Sequence, residues 1–214
     1  MKKIILLSLL SVALFIGCKK KDKVGSMVVT ASFPTVSITG SQYYSIPVGG
    51  TFPTINATAY DSFYKQSYAT VIDQSTVNNN VPGLYAVSVS AKNQYGYVGY
   101  TTVFVAVTNV SDSLNLAGFY LRGANPAFVT KLARGLFMTS NVGGDDTATQ
   151  ASSVIPAVFA VTSDSTIDFG SQLTSAGTLT ASQETLSLAV GDTTLNYAVN
   201  LTGFGTQVRT FVKQ

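Results

Sequence analysis

Between Val28 and Val212 apolar residues recur in short, punctuated stretches, and no window keeps them at helical spacing over several turns. Leu84 to Ala91 shows the pattern best. Tyr85, Val87, Val89 and Ala91 fall on one face of an extended segment, and small residues with Leu84 fall on the other. Asn93-Gln94-Tyr95-Gly96 reads as a turn, and Val98 to Val107 returns as a second strand, which predicts a hairpin. Further strands are expected at 116–122, 128–133, 135–139, 158–162, 166–169, 185–189, 195–201 and 207–212, separated by Gly, Asn, Asp and Ser. One segment breaks the pattern. Ile4 to Ile16 is a continuous apolar run interrupted only by Ser8 and Ser11, preceded by Met1-Lys2-Lys3 and followed by Gly17-Cys18.

That run covers 13 residues, roughly 20 Å as a helix at about 1.5 Å per residue, against a bilayer core of about 30 Å. Lys19-Lys20-Lys21-Asp22-Lys23 follows at once, so the run cannot be lengthened. A charged start, a short apolar centre and a small residue before the cut are the parts of a secretory signal peptide. With Leu14-Phe15-Ile16-Gly17-Cys18 at its end, this one resembles a bacterial lipoprotein signal, Phe15 standing where an aliphatic residue is usual. The resemblance implies a signal peptide over 1–17, acylation of the Cys18 thiol, and a lipidated tether over 18–26. It also implies the outer membrane, because Lys19 rather than Asp follows the cysteine. Asp22 among lysines leaves cell-surface and periplasmic orientations both open.

Removing the leader changes the charge argument. The whole chain carries 13 basic and 10 acidic residues, net +3. From Val24 onward seven basic and nine acidic residues remain, net −2. The basic excess belongs to the leader and tether, so nucleic acid is not expected as a partner. Cys18 is the only cysteine, which excludes intramolecular disulfides and leaves stability to a hydrophobic core.

Val81-Pro82-Gly83-Leu84-Tyr85-Ala86-Val87, Ala91-Lys92-Asn93-Gln94-Tyr95-Gly96 and Val103-Phe104-Val105 together resemble the end of a bacterial immunoglobulin-like domain. Ile46 to Phe52 and Ala57 to Asp61 fit the same pattern upstream. The resemblance puts Tyr85 at a tyrosine corner, its hydroxyl bonding back to nearby backbone. Val87 stands where antibody domains have a cysteine, and there is no tryptophan, so the likeness is to the cysteine-free bacterial branch. The implied organisation is an Ig-like β-sandwich over 27–109, a linker over 110–113, and an antiparallel β domain over 114–214. The expected fold class is all-β: the sandwich followed by an antiparallel β-sandwich or open barrel. The leader, the Ig-like module and the Leu116-Ala117-Gly118-Phe119-Tyr120 opening resemble two-domain surface lipoproteins of Bacteroidetes-type bacteria.

The chain has no histidine, the commonest general base and metal ligand. After Cys18 there are nine aspartates and one glutamate, Glu184. Asp164 and Asp168 flank an expected hairpin, and Asp145-Asp146 lie in a glycine-rich loop; turn chemistry accounts for them better than paired-carboxylate catalysis. The expectation is that the chain is not an enzyme and carries no cofactor. Gly143-Gly144-Asp145-Asp146-Thr147 lacks the spacing of a calcium loop and reads as a solvated loop, so no metal is expected.

Nine of eleven tyrosines lie between Tyr43 and Tyr100. Tyrosine suits half-buried β surface, and it also stacks on the apolar face of a sugar while its hydroxyl serves the polar rim. Tyr43 and Tyr44 before a strand, Tyr64 in a polar connection and Tyr95 in the hairpin turn are the candidate ligand contacts. Asp112-Ser113-Leu114, Asp146-Thr147-Ala148, Asp164-Ser165-Thr166 and Asp192-Thr193-Thr194 resemble the O-glycosylation signal of Bacteroidetes envelope proteins, with Ser113 the best placed. Two functions fit. One is a surface lipoprotein that binds a glycan or other extracellular ligand as an accessory of polysaccharide capture, held by its lipid near outer-membrane uptake proteins. The other is a structural or partner-docking envelope protein with the Ig-like module as spacer.

Overall fold

A computed structural model describes residues 30–189 and 191–214. The leader, Cys18, the tether, the first residues of the expected sandwich (27–29) and Val190 lie outside the described residues. Ala31–Gln214 forms one compact unit. Its fold is all-β, and the only helical element among the described residues is a single 3-10 turn, Ala151–Ser153.

The strands are β1 (Thr35–Thr39), β2 (Tyr43–Ile46), β3 (Asn56–Asp61), β4 (Gln66–Tyr68), β5 (Thr70–Asp73), β6 (Gly83–Lys92), β7 (Val98–Val107), β8 (Gly118–Arg122), β9 (Asn125–Ala133), β10 (Leu136–Thr139), β11 (Ala157–Ser163), β12 (Thr166–Asp168), β13 (Gln172–Thr174), β14 (Gly177–Ala189), β15 (Asp192–Asn200) and β16 (Val208–Lys213). The first seven build a sandwich of two sheets, β1-β3-β4 and β2-β7-β6-β5. Gly40, at φ 98°, lets the chain leave β1 in the first sheet and enter β2 in the second. There β2 runs parallel to β7, Tyr43 facing Phe104 and Ile46 facing Val107.

The alternation read at Leu84–Ala91 has a partner for each face. Val87 and Val89, with Val103, Val105 and Val107 of β7, are buried between the two sheets, with Tyr85 packed against them. The Tyr85 hydroxyl donates to Val81 O, four residues back, at 2.9 Å. Leu84 and Ala106 point the other way and are buried against Leu136, Val158 and Ala160.

Strands β8 to β16 form one nine-stranded antiparallel sheet in the order β12-β11-β10-β9-β8-β16-β15-β14-β13. The sheet curls, and its ends approach: the Leu186 amide donates to Ser165 O at 2.8 Å. Closure depends on a bulge in β14, where the register shifts between Ser182 and Thr185 and Gln183 takes φ 56°. Inside the curl five aromatic rings run in contact, Phe137–Phe159–Phe169–Tyr197–Phe211, with successive centroids 5.7, 5.3, 4.5 and 5.4 Å apart. The half-barrel is therefore packed through its middle. Tyr120, in β8, repeats the device of Tyr85, donating to Leu116 O four residues back at 2.8 Å.

The sandwich and the curled sheet are joined by directed bonds as well as by apolar contact. Thr108 Oγ1 donates to Val161 O at 2.6 Å, and the Leu84 amide donates to Asp168 Oδ2 at 2.8 Å. Arg134 donates through NH2 to Thr108 O at 3.2 Å. Gly170, at φ 54°, sits so near the sandwich that a Cβ there would lie 2.5 Å from Leu84 O. The 110–113 stretch begins with a buried residue, Val110, whose amide donates to the Thr108 hydroxyl at 3.2 Å.

Candidate functional site

Two regions gather the residues singled out in the sequence. The first is the tip of the sandwich, built on two buried polar side chains. Asp61 ends β3 and accepts at Oδ1 from Ser32 Oγ at 2.7 Å and from the amides of Phe63 and Tyr64 at 3.0 and 3.2 Å. Asn93 follows β6. Its Nδ2 donates to Ser32 O at 2.8 Å and to Asp61 Oδ2 at 3.3 Å, while its Oδ1 accepts from the Tyr95 and Tyr97 amides, each at 3.0 Å. Burial alone would raise the Asp61 pKa, but the hydrogen bonds from Ser32, Tyr64, Asn93 and Phe63 outweigh it and hold the carboxyl below the usual range.

Those two turns carry aromatic rings. Tyr64 lies 4.9 Å from Tyr95, and Phe63 packs edge-on to Tyr64 at 4.9 Å. Phe33, on the entering chain, packs against Tyr97 at 5.3 Å. Burial, followed by the neighbouring Tyr95 and Asp61, pushes the Tyr64 hydroxyl up.

The second region is the junction between sandwich and curled sheet. Tyr43 and Tyr44 are themselves the first residues of β2, where the sequence had suggested a connection before a strand, so they take opposite faces. Tyr44 packs on the sandwich core. Tyr43 faces outward and stacks on Phe104 at 6.2 Å with the rings 7° from parallel. Together they floor a hollow of about 180 Å³ whose other walls include Met138, Pro156, Gln172 and Leu173. A second hollow, about 330 Å³, is lined by Thr76, Leu84, Tyr85, Ala86 and Ser171. The two are neighbours, since Ala86 is the ladder partner of Phe104 and Ser171 precedes Gln172. Gln172 holds its wall in place by accepting from the Val158 amide at 2.9 Å and donating to Val158 O and Phe169 O, each at 2.7 Å. Thus Tyr64 and Tyr95 come together at the tip, whereas Tyr43 belongs to the junction.

Two carboxylates at the junction were not paired by the sequence reading, because 16 residues separate them. Asp168 accepts from the amides of Leu84 and Gly170, and Glu184 Oε1 accepts from the Phe169 amide at 2.7 Å. Burial raises Glu184 from 4.5 to about 6, the Phe169 bond opposes the rise, and Asp168 adds to it. A folded-state pKa above the ordinary value means that the fold disfavours the ionised form. The penalty is fully present above pH 6 and disappears as pH falls through 6 toward 4.5. Discounting for partial exposure, denaturant unfolding should show the protein about 1 kcal/mol more stable near pH 5 than near pH 7.5. Glu184→Gln should flatten that difference; an unchanged difference would mean another group causes it.

The Gly143–Thr147 loop differs from its solvated expectation. Gly143 and Gly144 are buried. Arg122 NH1 donates to Gly143 O at 2.8 Å and to Gly144 O at 3.3 Å, and Arg209 Nε donates to Gly143 O at 2.9 Å. Asp145 pairs with Arg122 at 3.9 Å. The carbonyls that a cation would need face guanidinium groups. Ser113 is exposed, its hydroxyl 2.8 Å from that of Ser111, and Asp112 beside it pairs with Lys131 at 3.1 Å.

No family model and no curated protein matches the chain. Among solved structures it is similar to a lipoprotein from Bacteroides thetaiotaomicron, with 21% identity and a TM-score of 0.36, covering 85% of this chain and 100% of that one.

Proposed function

We propose that this chain is a non-catalytic envelope lipoprotein, anchored through Cys18, that binds a glycan as an accessory of polysaccharide capture, with the junction hollow as the binding site. The observation that carries the reading is the Tyr43–Phe104 stack at the floor of a concave surface walled by two parts of the fold. A sugar ring presents an apolar C–H face to such a floor and its hydroxyls to a polar rim. Thr76 and Ser171 supply hydroxyls in the adjoining hollow. The nearby carboxylates favour a binding role over a hydrolytic one, because Asp168 and Glu184 each accept from backbone amides. Lipid attachment would hold a weak site at high effective concentration near uptake proteins.

Affinity electrophoresis of the full chain through a panel of polysaccharide gels tests this. At least one glycan should retard the protein; Tyr43→Ala should abolish the retardation and Tyr95→Ala should preserve it. If no glycan slows the protein, the reading is wrong. The partner-docking alternative draws on one observation: Phe119 and Phe128 lie 5.1 Å apart on the outer wall of the curled sheet, 37% and 58% exposed.

A further inference from the structure

Ser32 is fixed at the sandwich tip by Asp61 and Asn93, so the chain leading toward Cys18 leaves the folded unit there. The exposed aromatics surround that point of departure. Phe33 and Phe63 are each 58% exposed and Tyr95 41%, and ring contacts link Phe63 to Tyr64, Tyr64 to Tyr95 and Phe33 to Tyr97. The acid at this end, Asp61, is fully buried with its oxygens occupied, whereas Lys65, on the first of these turns, and Lys92, at the end of β6, are exposed. Between Cys18 and the tip the sequence adds Lys19, Lys20, Lys21 and Lys23 against Asp22.

Aromatic rings flanked by cations are what the headgroup layer of a bilayer favours: amphipathic rings settle at that depth, and lysines are drawn to anionic lipid. The reach agrees. Twelve residues carry the chain from Cys18 to Thr30, at most about 40 Å of extended backbone. We infer that the tip is a membrane-docking face, with Phe33, Phe63, Tyr64 and Tyr95 in the headgroup layer and Lys65 and Lys92 against anionic lipid. This rests on the reading of Cys18 as the acylated residue. The lipid tethers the chain without orienting the folded unit; the tip supplies a second contact and fixes which way the molecule stands. The β6 residues at the hollows, Leu84 to Ala86, then stand about 20–26 Å along the strand from Lys92, at ~3.3 Å per residue.

Because the chain has no tryptophan, single tryptophans report local environment without background. The membrane-extracted protein carrying Tyr95→Trp or Leu173→Trp is reconstituted into phosphatidylethanolamine–phosphatidylglycerol vesicles, with and without brominated acyl chains. Emission at position 95 should shift to the blue and lose intensity in brominated vesicles, and the loss should shrink when Phe33→Ser and Phe63→Ser are added. Emission at position 173 should not respond. Equal emission from position 95 in both vesicles, or failure of the protein to stay with the vesicles, overturns the proposal. So does protection of position 95 from iodide by a polysaccharide without lipid, which would make the tip a glycan platform. Glycan retardation through the junction hollow is read in gels without vesicles, so either proposal can fail alone.

Discussion

Phe169→Ala should lower the stability of the folded unit by about 3–5 kcal/mol, the usual cost of emptying a fully buried phenylalanine site. Phe169 is completely buried, and its ring touches Phe159 at 5.3 Å and Tyr197 at 4.5 Å. It is the middle member of the five-ring run, so its removal opens a void with large, rigid rings on both sides. Rings held by strands on opposite sides of the curl cannot close that void without shifting backbone. Its position makes the loss more than local, since the residue lies on the crossover between β12 and β13, where its amide donates to Glu184. Denaturant titration followed by far-UV circular dichroism reads the change. Phe63→Ala, at an exposed position, should stay within about 0.5 kcal/mol. Similar midpoints for the two variants would contradict the packed interior.

Arg209→Leu should be of comparable size, about 3–5 kcal/mol, for a different reason. The side chain is 4% exposed and donates from three nitrogens: Nε to Gly143 O at 2.9 Å, NH1 to Gln207 O at 3.1 Å, and NH2 to Phe204 O. Leucine fills part of the space but removes the guanidinium from all three carbonyls: Gly143 O keeps Arg122, whereas Phe204 O and Gln207 O lose the Arg209 donor, and each unsatisfied buried group costs about 1–3 kcal/mol. Arg209→Lys should rescue little, because an ammonium cannot reproduce a planar fork aimed at three acceptors. Arg122→Leu should cost less, since that side chain is one-third exposed and the carbonyls it serves keep other partners, Arg209 on Gly143 and Asn125 on Gly144. Limited proteolysis adds a local readout, with cleavage near 143–147 and 203–207 expected in Arg209→Leu before global unfolding. If Arg209→Lys behaves as wild type, the fork geometry is irrelevant and the account fails.

What the sequence discloses follows from how local each cause is. The β6–β7 hairpin and the Tyr85 corner are legible because Pro82-Gly83 and Asn93 to Gly96 bracket a clean period of two within one short stretch. The full length of β14 is not. Its bulge at Gln183 carries neither glycine nor proline, and among the β14 residues before it only Leu179 is a large apolar side chain. Strand β13 is only Gln172–Thr174, and its key residue acts through a side chain that reaches Val158. The placement of the tyrosines needed strand parity. One residue of register decides whether Tyr43 or Tyr44 faces outward, and no turn signal fixes it in advance. The meeting of Tyr64 with Tyr95 depends on Asp61 and Asn93 lying side by side, a contact across 32 residues. The Gly143–Thr147 loop looked solvated because its arginine partners lie 21 and 66 residues away.

The crossing at Gly40 has a mechanical consequence. A pull on the chain ahead of Ser32 would enter at the tip and pass first into β1 and then into β2. Strand β1 lies antiparallel against β3, and β2 lies parallel against β7. Tension therefore runs along these strands rather than across them. Its load falls first on the five paired residues of β1 and β3 and then on the four of β2 and β7, in shear, instead of opening them one after another like a zipper. Such a pull would be resisted where the chain enters the fold, by rows of bonds that give way together rather than singly.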